Sequence, residues 1–294
     1  MKNVIVFSTD IFFIKNIKEY IKTKNLKVEL FLFSNLSKKN ILKIKRLVKY
    51  NQFTIINIGL SGSIQFNIKN GPKIYEFNTG LYYNLLTGLE KLSLKKVFFI
   101  SASCAYPSNK KILKEIDYGY PPIEETNFFY SLSKIFATNI CNNINKNKKF
   151  NYMTLVPATL YGQHSNYHKI NSHVLIALLN KLNTKKKRIV LWGSGKPKRE
   201  FIHIEDFINA IFFIDRLNIK KNIINVGSGV DLSIRELAYK IRKLVNFNGK
   251  IIWDKSKKDG SLKKLLDSSY LHNKGWKPEK NLDNSLEQIL LSKS

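Results

Sequence analysis

Five short, almost uninterrupted apolar runs, separated by helical stretches, constrain this chain more than any other feature: VIVF (4–7), VELFLF (28–33), FTIINI (53–58), KVFFIS (96–101) and YMTLVP (152–157). A strand with one solvated face alternates apolar and polar residues, whereas a strand apolar throughout is covered on both faces. The intervening stretches have helical periodicity. Ile14, Ile17 and Ile21 recur on one face after the first run, a basic segment follows near 37–50, and longer amphipathic segments cover about 73–92 and 128–147. Repeated β-α units with such strands predict an α/β fold: a doubly wound parallel sheet of Rossmann type, with ligands at the carboxyl ends of the strands.

After residue 160 the rhythm loosens. Turn-rich stretches, LWGSGKPKREF (191–201) and NVGSGVDLS (225–233), separate short helices. We expect a nucleotide-binding domain over 1–160 plus 196–226, and a smaller C-terminal substrate domain over 161–195 plus 227–294. No run reaches the roughly 18 apolar residues of a membrane-spanning helix. The start enters a strand without a small-residue cleavage site, which argues against a signal peptide. Two cysteines, Cys104 and Cys141, fit a reducing cytoplasm better than a disulfide framework. The net charge of +29 raises the question of nucleic acid. Its carriers argue against that: apart from Arg46, Arg188, Arg199, Arg216, Arg235 and Arg242 the basic residues are lysines, scattered or in short solvated clusters. A dedicated phosphate-binding surface favours arginine forks. Neither nucleic acid nor membrane is expected as a partner.

The stretch SASCAYP (101–107) stands at the end of the fourth apolar run, and Tyr130 and Lys134 follow four apart on a predicted helix. That spacing puts both side chains on one face. An ammonium beside a phenol lowers the phenol's pKa and prepares it to exchange a proton with a carbonyl or an alcohol. Tyr106/Lys110, Tyr239/Lys243 and Tyr270/Lys274 share the spacing, and a solvated helical pair is the plain reading for each. Position singles out Tyr130, one helix after the strand ending in Ser-Ala-Ser-Cys.

With SCAYP (103–107), YSLSK (130–134), LVPATLYG (155–162), NSHV (171–174), VLWGSGKPKREFIHIEDF (190–207), INVGSGVDLSIREL (224–237), DGSLKKLLD (259–267) and GWKP (275–278) in this order, the chain resembles the extended short-chain dehydrogenase/reductases (the NAD-dependent epimerase/dehydratases), and among them the GDP-L-fucose synthases. The resemblance implies epimerisation of GDP-4-keto-6-deoxy-D-mannose at C3 and C5, then reduction of its C4 ketone with NADPH. It implies Cys104 and His173 as the acid/base pair, Tyr130 on the C4 oxygen, and Lys134 tuning Tyr130 and holding the nicotinamide ribose. For NADP(H) it implies Lys134, Pro157, Ala158, Thr159, Leu160 and His173. Lys181, Trp192, Arg199, Asp259 and Lys264 would line the sugar-nucleotide site, with His203 and Asp206 structural and a homodimer through the helix near 128–147. The residue types suit the chemistry. Histidine titrates near neutrality, a thiol does so beside cations, basic side chains suit a diphosphate, and an indole packs on a sugar or base. The plain alternatives are a helix-start residue for His173, a small buried hydrophobe for Cys104 and core packing for Trp192.

Three departures accompany the resemblance. Ser8, Ile11 and Ile14 occupy the glycines of the phosphate-binding turn. Phe33 and Asn35 stand where arginines would meet a 2′-phosphate, and Ala102 replaces the catalytic serine. Side chains alternate along a strand, so Ala102 and Cys104 share a face and Ser101 and Ser103 point away. Three functions therefore stay open: an epimerase/reductase using NADPH through other contacts, a redox-neutral epimerase, and a non-catalytic sugar-nucleotide-binding paralogue.

Overall fold

In a computed structural model, residues 2–48, 52–164, 174–217, 219, 221–257 and 259–291 are described. The first half runs β1 (Lys2–Ser8), α1 (Ile11–Thr23), β2 (Val28–Phe33), α2 (Lys38–Leu47), β3 (Gln52–Asn57), α3 (Ile64–Lys69), α4 (Gly71–Lys91), β4 (Lys96–Ile100), α5 (Phe128–Ile144) and β5 (Asn151–Pro157). The second half runs β6 (Thr159–Tyr161), α6 (Val174–Leu182), β7 (Arg188–Trp192), β8 (Lys198–His203), α7 (Ile204–Leu217), β9 (Ile223–Val226), β10 (Asp231–Ser233), α8 (Ile234–Leu244), β11 (Lys250–Asp254), β12 (Lys263–Lys264), α9 (Ser269–Asn273) and α10 (Leu282–Leu291).

All five apolar runs become strands of one six-stranded sheet, ordered β2-β1-β3-β4-β5-β9, in which every pairing is parallel. Side-chain alternation explains why the runs carry no polar face. Val4 and Val6 pack with Phe13 and Ile17 of α1 and Ile211 of α7, while Ile5 and Phe7 pack into the opposite layer with Leu86 of α4 and Ala137 of α5. The buried face of α1 is Phe13, Asn16, Ile17 and Tyr20, so the expected stripe through Ile14 and Ile21 is displaced, and those two are only half-buried. The chain leaves β1 towards β2 and returns to β3 on its other side. That reversal opens the crevice at the carboxyl ends of β1 and β3, where doubly wound sheets bind ligands.

Beyond β5 the strands are short. β8 lies between β10 and β12 and also pairs with β6, and β11 pairs with β7. Of the stretch 196–226, only β9 enters the large sheet. A third core, with Leu175 and Leu179 of α6, Leu237 of α8 and Leu286 of α10, covers these strands. His203 and Asp206 make packing and hydrogen-bond contacts within the fold. The His203 ring meets Tyr161 edge-on, and the Asp206 carboxylate accepts the backbone N–H groups of Glu279 and Lys280, both at 3.0 Å. Among the described residues, no helix is long and apolar enough to cross a membrane.

The competing Tyr/Lys pairs separate. Tyr106 is not on a helix: its hydroxyl is buried, 2.6 Å from Asn225 Oδ1. Tyr239 is exposed on α8, and Tyr270 lies half-buried on α9 under the Lys221 ammonium, 3.9 Å from its ring centre.

Candidate active site

Tyr130 and Lys134 share a face of α5, with the Lys134 ammonium 5.6 Å from the centre of the Tyr130 ring. Lys134 is buried. Its Nζ donates to the Ile100 carbonyl at the end of β4 (2.9 Å) and lies 4.8 Å from the Phe99 ring and 4.9 Å from the Tyr82 ring. This apolar lining disfavours the ammonium and brings the Lys134 pKa down to about 7. The expected acidified phenol is not found: burial raises the Tyr130 pKa, and the Ser61 side chain, hydrogen-bonded to it, only partly opposes this. The reason is physical. Burial penalises phenolate and ammonium alike, so a lysine already half-neutral near pH 7 offers the phenol little charge.

Cys104 also departs from expectation. The strand ends at Ile100, and Ser103–Ala105 form one 3₁₀ turn, so strand alternation does not extend to Cys104. Ser101 is buried with its hydroxyl 2.6 Å from that of Tyr118; it is unavailable for that reason rather than by facing away. Ala102 is half-buried in extended conformation. Burial pushes the Cys104 thiol up, and Lys264, Ser131 and Lys134 pull it back only in part, so it is an acid at neutral pH. His173 lies outside the described residues.

The same thiol lies within electrostatic reach of both Lys264 and Lys134. Lys264 Nζ donates to Glu124 Oε2 at 2.7 Å. Glu124 is buried and also accepts from Asn127 Nδ2 (2.8 Å) and the Ser261 hydroxyl (3.2 Å). Burial alone would raise its pKa, but Lys264, Asn127 and the nearby Arg199 hold it down at about 2. Arg199 Nη1 donates to the carbonyls of Lys198 (2.8 Å) and Ser261 (2.7 Å). The Arg199 guanidinium also feels Asp259, whose carboxylate accepts the Ser194 N–H (2.9 Å) and hydroxyl (2.5 Å). That clasp requires a glycine: at Gly193, φ +76°, a Cβ would lie 2.2 Å from Asp259 Oδ1. Asp259 is thus engaged with the Gly193–Ser194 turn.

Trp192, at the end of β7, is 49% exposed, which excludes core packing, and the Lys257 ammonium lies 5.7 Å from its ring centre. Lys181 is exposed on α6 with Nζ 3.3 Å from the Val190 carbonyl, two residues before Trp192. Pro157–Leu160 form the passage from β5 to β6, where the Ala158 N–H donates to the Val226 carbonyl at 3.0 Å.

Glu124, Ser61 and Asp10 escaped the sequence reading. Glu124 sits in an ordinary-looking acidic pair, Glu124-Glu125, and only its burial distinguishes it. Asp10 is the N-cap of α1: its Oδ1 accepts the Phe12 N–H at 3.0 Å, and Ser8 Oγ accepts the Asp10 N–H at 3.0 Å. Asp10 also contributes to raising the Tyr130 pKa, so its charge is felt at that phenol. A dinucleotide pyrophosphate needs free amides and no side chain at this turn. The residues present do not fit one.

The pattern of the NAD dependent epimerase/dehydratase family matches residues 9–227. The chain is 34% identical to the GDP-L-fucose synthase of Escherichia coli over 241 residues, covering 77% of this chain and 75% of that protein. It is 30% identical to the GDP-L-colitose synthase of Yersinia pseudotuberculosis over 292 residues, covering 93% and 92%. In fold it matches the GDP-mannoheptose C4 reductase of Campylobacter jejuni with NADP bound at a TM-score of 0.85, with 23% identity and coverage of 100% and 98%. The chain belongs to the NAD dependent epimerase/dehydratase family.

Proposed function

We propose that this chain acts on a GDP-linked 4-keto-6-deoxy sugar and moves protons at the carbons beside the ketone, as an epimerase/reductase of the GDP-L-fucose synthase kind. A GDP-linked sugar is the element common to the names of the relatives above. The observation that carries the reading is the seating of Cys104 against α5, its carbonyl accepting the Ser131 hydroxyl (2.9 Å) next to Tyr130, within electrostatic influence of Lys134 and of Lys264, the neighbour of Arg199 across β12 and β8. A proton donor within reach of both a phenol–amine pair and a cationic patch suits a ketosugar whose diphosphate is held by the patch.

A hydrogen next to a ketone is acidic because the enolate carries its charge on oxygen. Tyr130, its phenol kept protonated by burial, would donate to that oxygen as charge develops. Cys104, a neutral thiol, would return a proton to carbon. Abstraction from the opposite face needs a second group, the role the sequence offers to His173. Lys264 and Arg199 would contact the diphosphate, Trp192 and Lys181 the nucleoside end. Glu124, by neutralising Lys264, would keep this patch from trapping the product. A second copy would pack against α5 and α4, whose outer side exposes Tyr75, Phe77 and Tyr83.

Product analysis tests this reading. Purified protein is incubated with GDP-4-keto-6-deoxy-D-mannose, with and without NADPH, and the sugar nucleotides are separated and identified. GDP-L-fucose or an epimerised ketone supports the reading. Unchanged substrate with both additions contradicts it and leaves a binding protein.

A further inference from the structure

At the carboxyl ends of β1 and β3 the turn that opens α1 is capped by its own residues. In a doubly wound sheet the pyrophosphate of a dinucleotide lies here, held by backbone amides at the first helix's N-terminus and favoured by the positive end of its dipole. Two amides of this turn are already spent, that of Asp10 on Ser8 Oγ and that of Phe12 on Asp10 Oδ1. The group that caps the helix is itself an anion. It meets the need that a pyrophosphate would meet, and it repels a second anion.

Shape agrees with charge. Ser8 is buried and brings a side chain to the position where the backbone must approach phosphate, and Ile11, 64% exposed, projects from the first turn of α1. At the end of β2 the Phe33 ring is buried and stacked on Phe7, 5.5 Å between centres, and the Lys43 ammonium of α2 lies over the Phe31 and Phe33 rings, 5.2 and 5.9 Å from their centres. Asn35 is turned onto its own loop, its Oδ1 accepting the Ser37 N–H at 3.0 Å and Asn40 Nδ2 at 3.1 Å. Lys134 points inward to the Ile100 carbonyl. These are three separate elements (the β1–α1 turn, the end of β2 and the start of α2), each satisfied internally. The Tyr130–Cys104–Lys264 side keeps its reactive groups.

We infer that the chain is a redox-neutral epimerase of GDP-linked ketosugars that works without a nicotinamide. The inference takes its substrate from the proposed function. The chemistry balances without an oxidant or reductant. The C–H bond beside the ketone breaks, its proton passes to a base, and its electron pair moves to the carbonyl oxygen as an enolate. A new C–H bond then forms on the other face with a proton from an acid, and the electron pair returns to restore the ketone. Tyr130 and Cys104 supply the hydrogen bond and the acid.

The test is a calorimetric titration of charcoal-treated wild-type protein with NADPH, and with NADH for comparison. Alongside it, deuterium incorporation from D₂O into GDP-4-keto-6-deoxy-D-mannose is measured with no nicotinamide added. The inference expects no saturable binding up to millimolar dinucleotide, and incorporation at an unchanged rate whether or not NADPH is present. A micromolar dissociation constant, or incorporation that requires NADPH, overturns the inference and leaves the proposed function standing. No incorporation and no GDP-L-fucose under any condition overturns both.

Discussion

Glu124 Oε2 lies 2.7 Å from Lys264 Nζ, tying the loop that enters α5 to the two-residue strand β12. The pair joins the helix that carries Tyr130 to the cationic patch, and both side chains are largely withdrawn from water. Removing one member of a buried pair strands the other, at a typical cost of about 3–5 kcal/mol. Glu124→Ala is expected to lose stability of that order in urea denaturation. The pH dependence has a definite sign. The Glu124 pKa is lowered from 4.5 to about 2 on folding, so its contribution is complete above 4.5 and is lost as pH falls towards 2. In Lys264→Met the fall in stability between about pH 5 and about pH 3 should shrink, because the largest influence holding the carboxyl down is gone.

Lys134 gives a test of the same sign at higher pH. Its pKa falls from 10.5 to about 7 on folding, so between those values the unfolded chain binds a proton that the folded chain does not. Stability therefore rises with pH across that window and is level below it. Lys134→Met should remove this rise, read from urea midpoints at about pH 7 and about pH 10. Equal slopes for wild type and variant would show that Lys134 stays charged.

Asp10 is predicted to be a structural cap. Asp10→Ala removes the side-chain bond to the Phe12 N–H and should cost about 1 kcal/mol, while Asp10→Asn should cost less. Thermal or urea unfolding of the three proteins checks the order. A stability gain in Asp10→Ala would show a strained carboxylate kept for another reason.

Ala102 is half-buried two residues past the end of β4, just before the 3₁₀ turn that carries Cys104. A serine there would add one donor where the relatives' motif places it. Loss of one donor to a developing oxyanion costs about 10²–10³ in rate. Ala102→Ser is therefore expected to raise the first-order rate of proton exchange by up to about 10². A lower rate in the variant would mean that the methyl group is needed for the fit of the sugar.

The fold was legible because the strand runs are apolar on both sides, a pattern that only a sheet covered on both faces explains. The line from Tyr130 to Lys264 was legible through motif and spacing. Its electrostatics were not. Whether Lys134 acidifies Tyr130 depends on how much water reaches both, and the packing of Phe99 and Tyr82 around the ammonium decides it. The 3₁₀ turn at 103–105 broke an alternation that sequence alone extends too far. Glu124 was missed because a buried acid and a solvated one are spelled alike. At Ser8-Thr9-Asp10 the missing glycines were plain, but that an aspartate replaces the phosphate as helix cap appears only in the bond from Phe12 to Asp10.

The central claim, that Cys104 and Tyr130 move protons beside the ketone of a GDP-linked sugar, is tested most directly by mass spectrometry of GDP-4-keto-6-deoxy-D-mannose incubated in D₂O with wild type, Cys104→Ala and Tyr130→Phe. Enzyme-dependent deuterium at C3 or C5, reduced at least about 10²-fold in both variants, is the predicted result. Incorporation equal to the enzyme-free control, or undiminished in both variants, would contradict it.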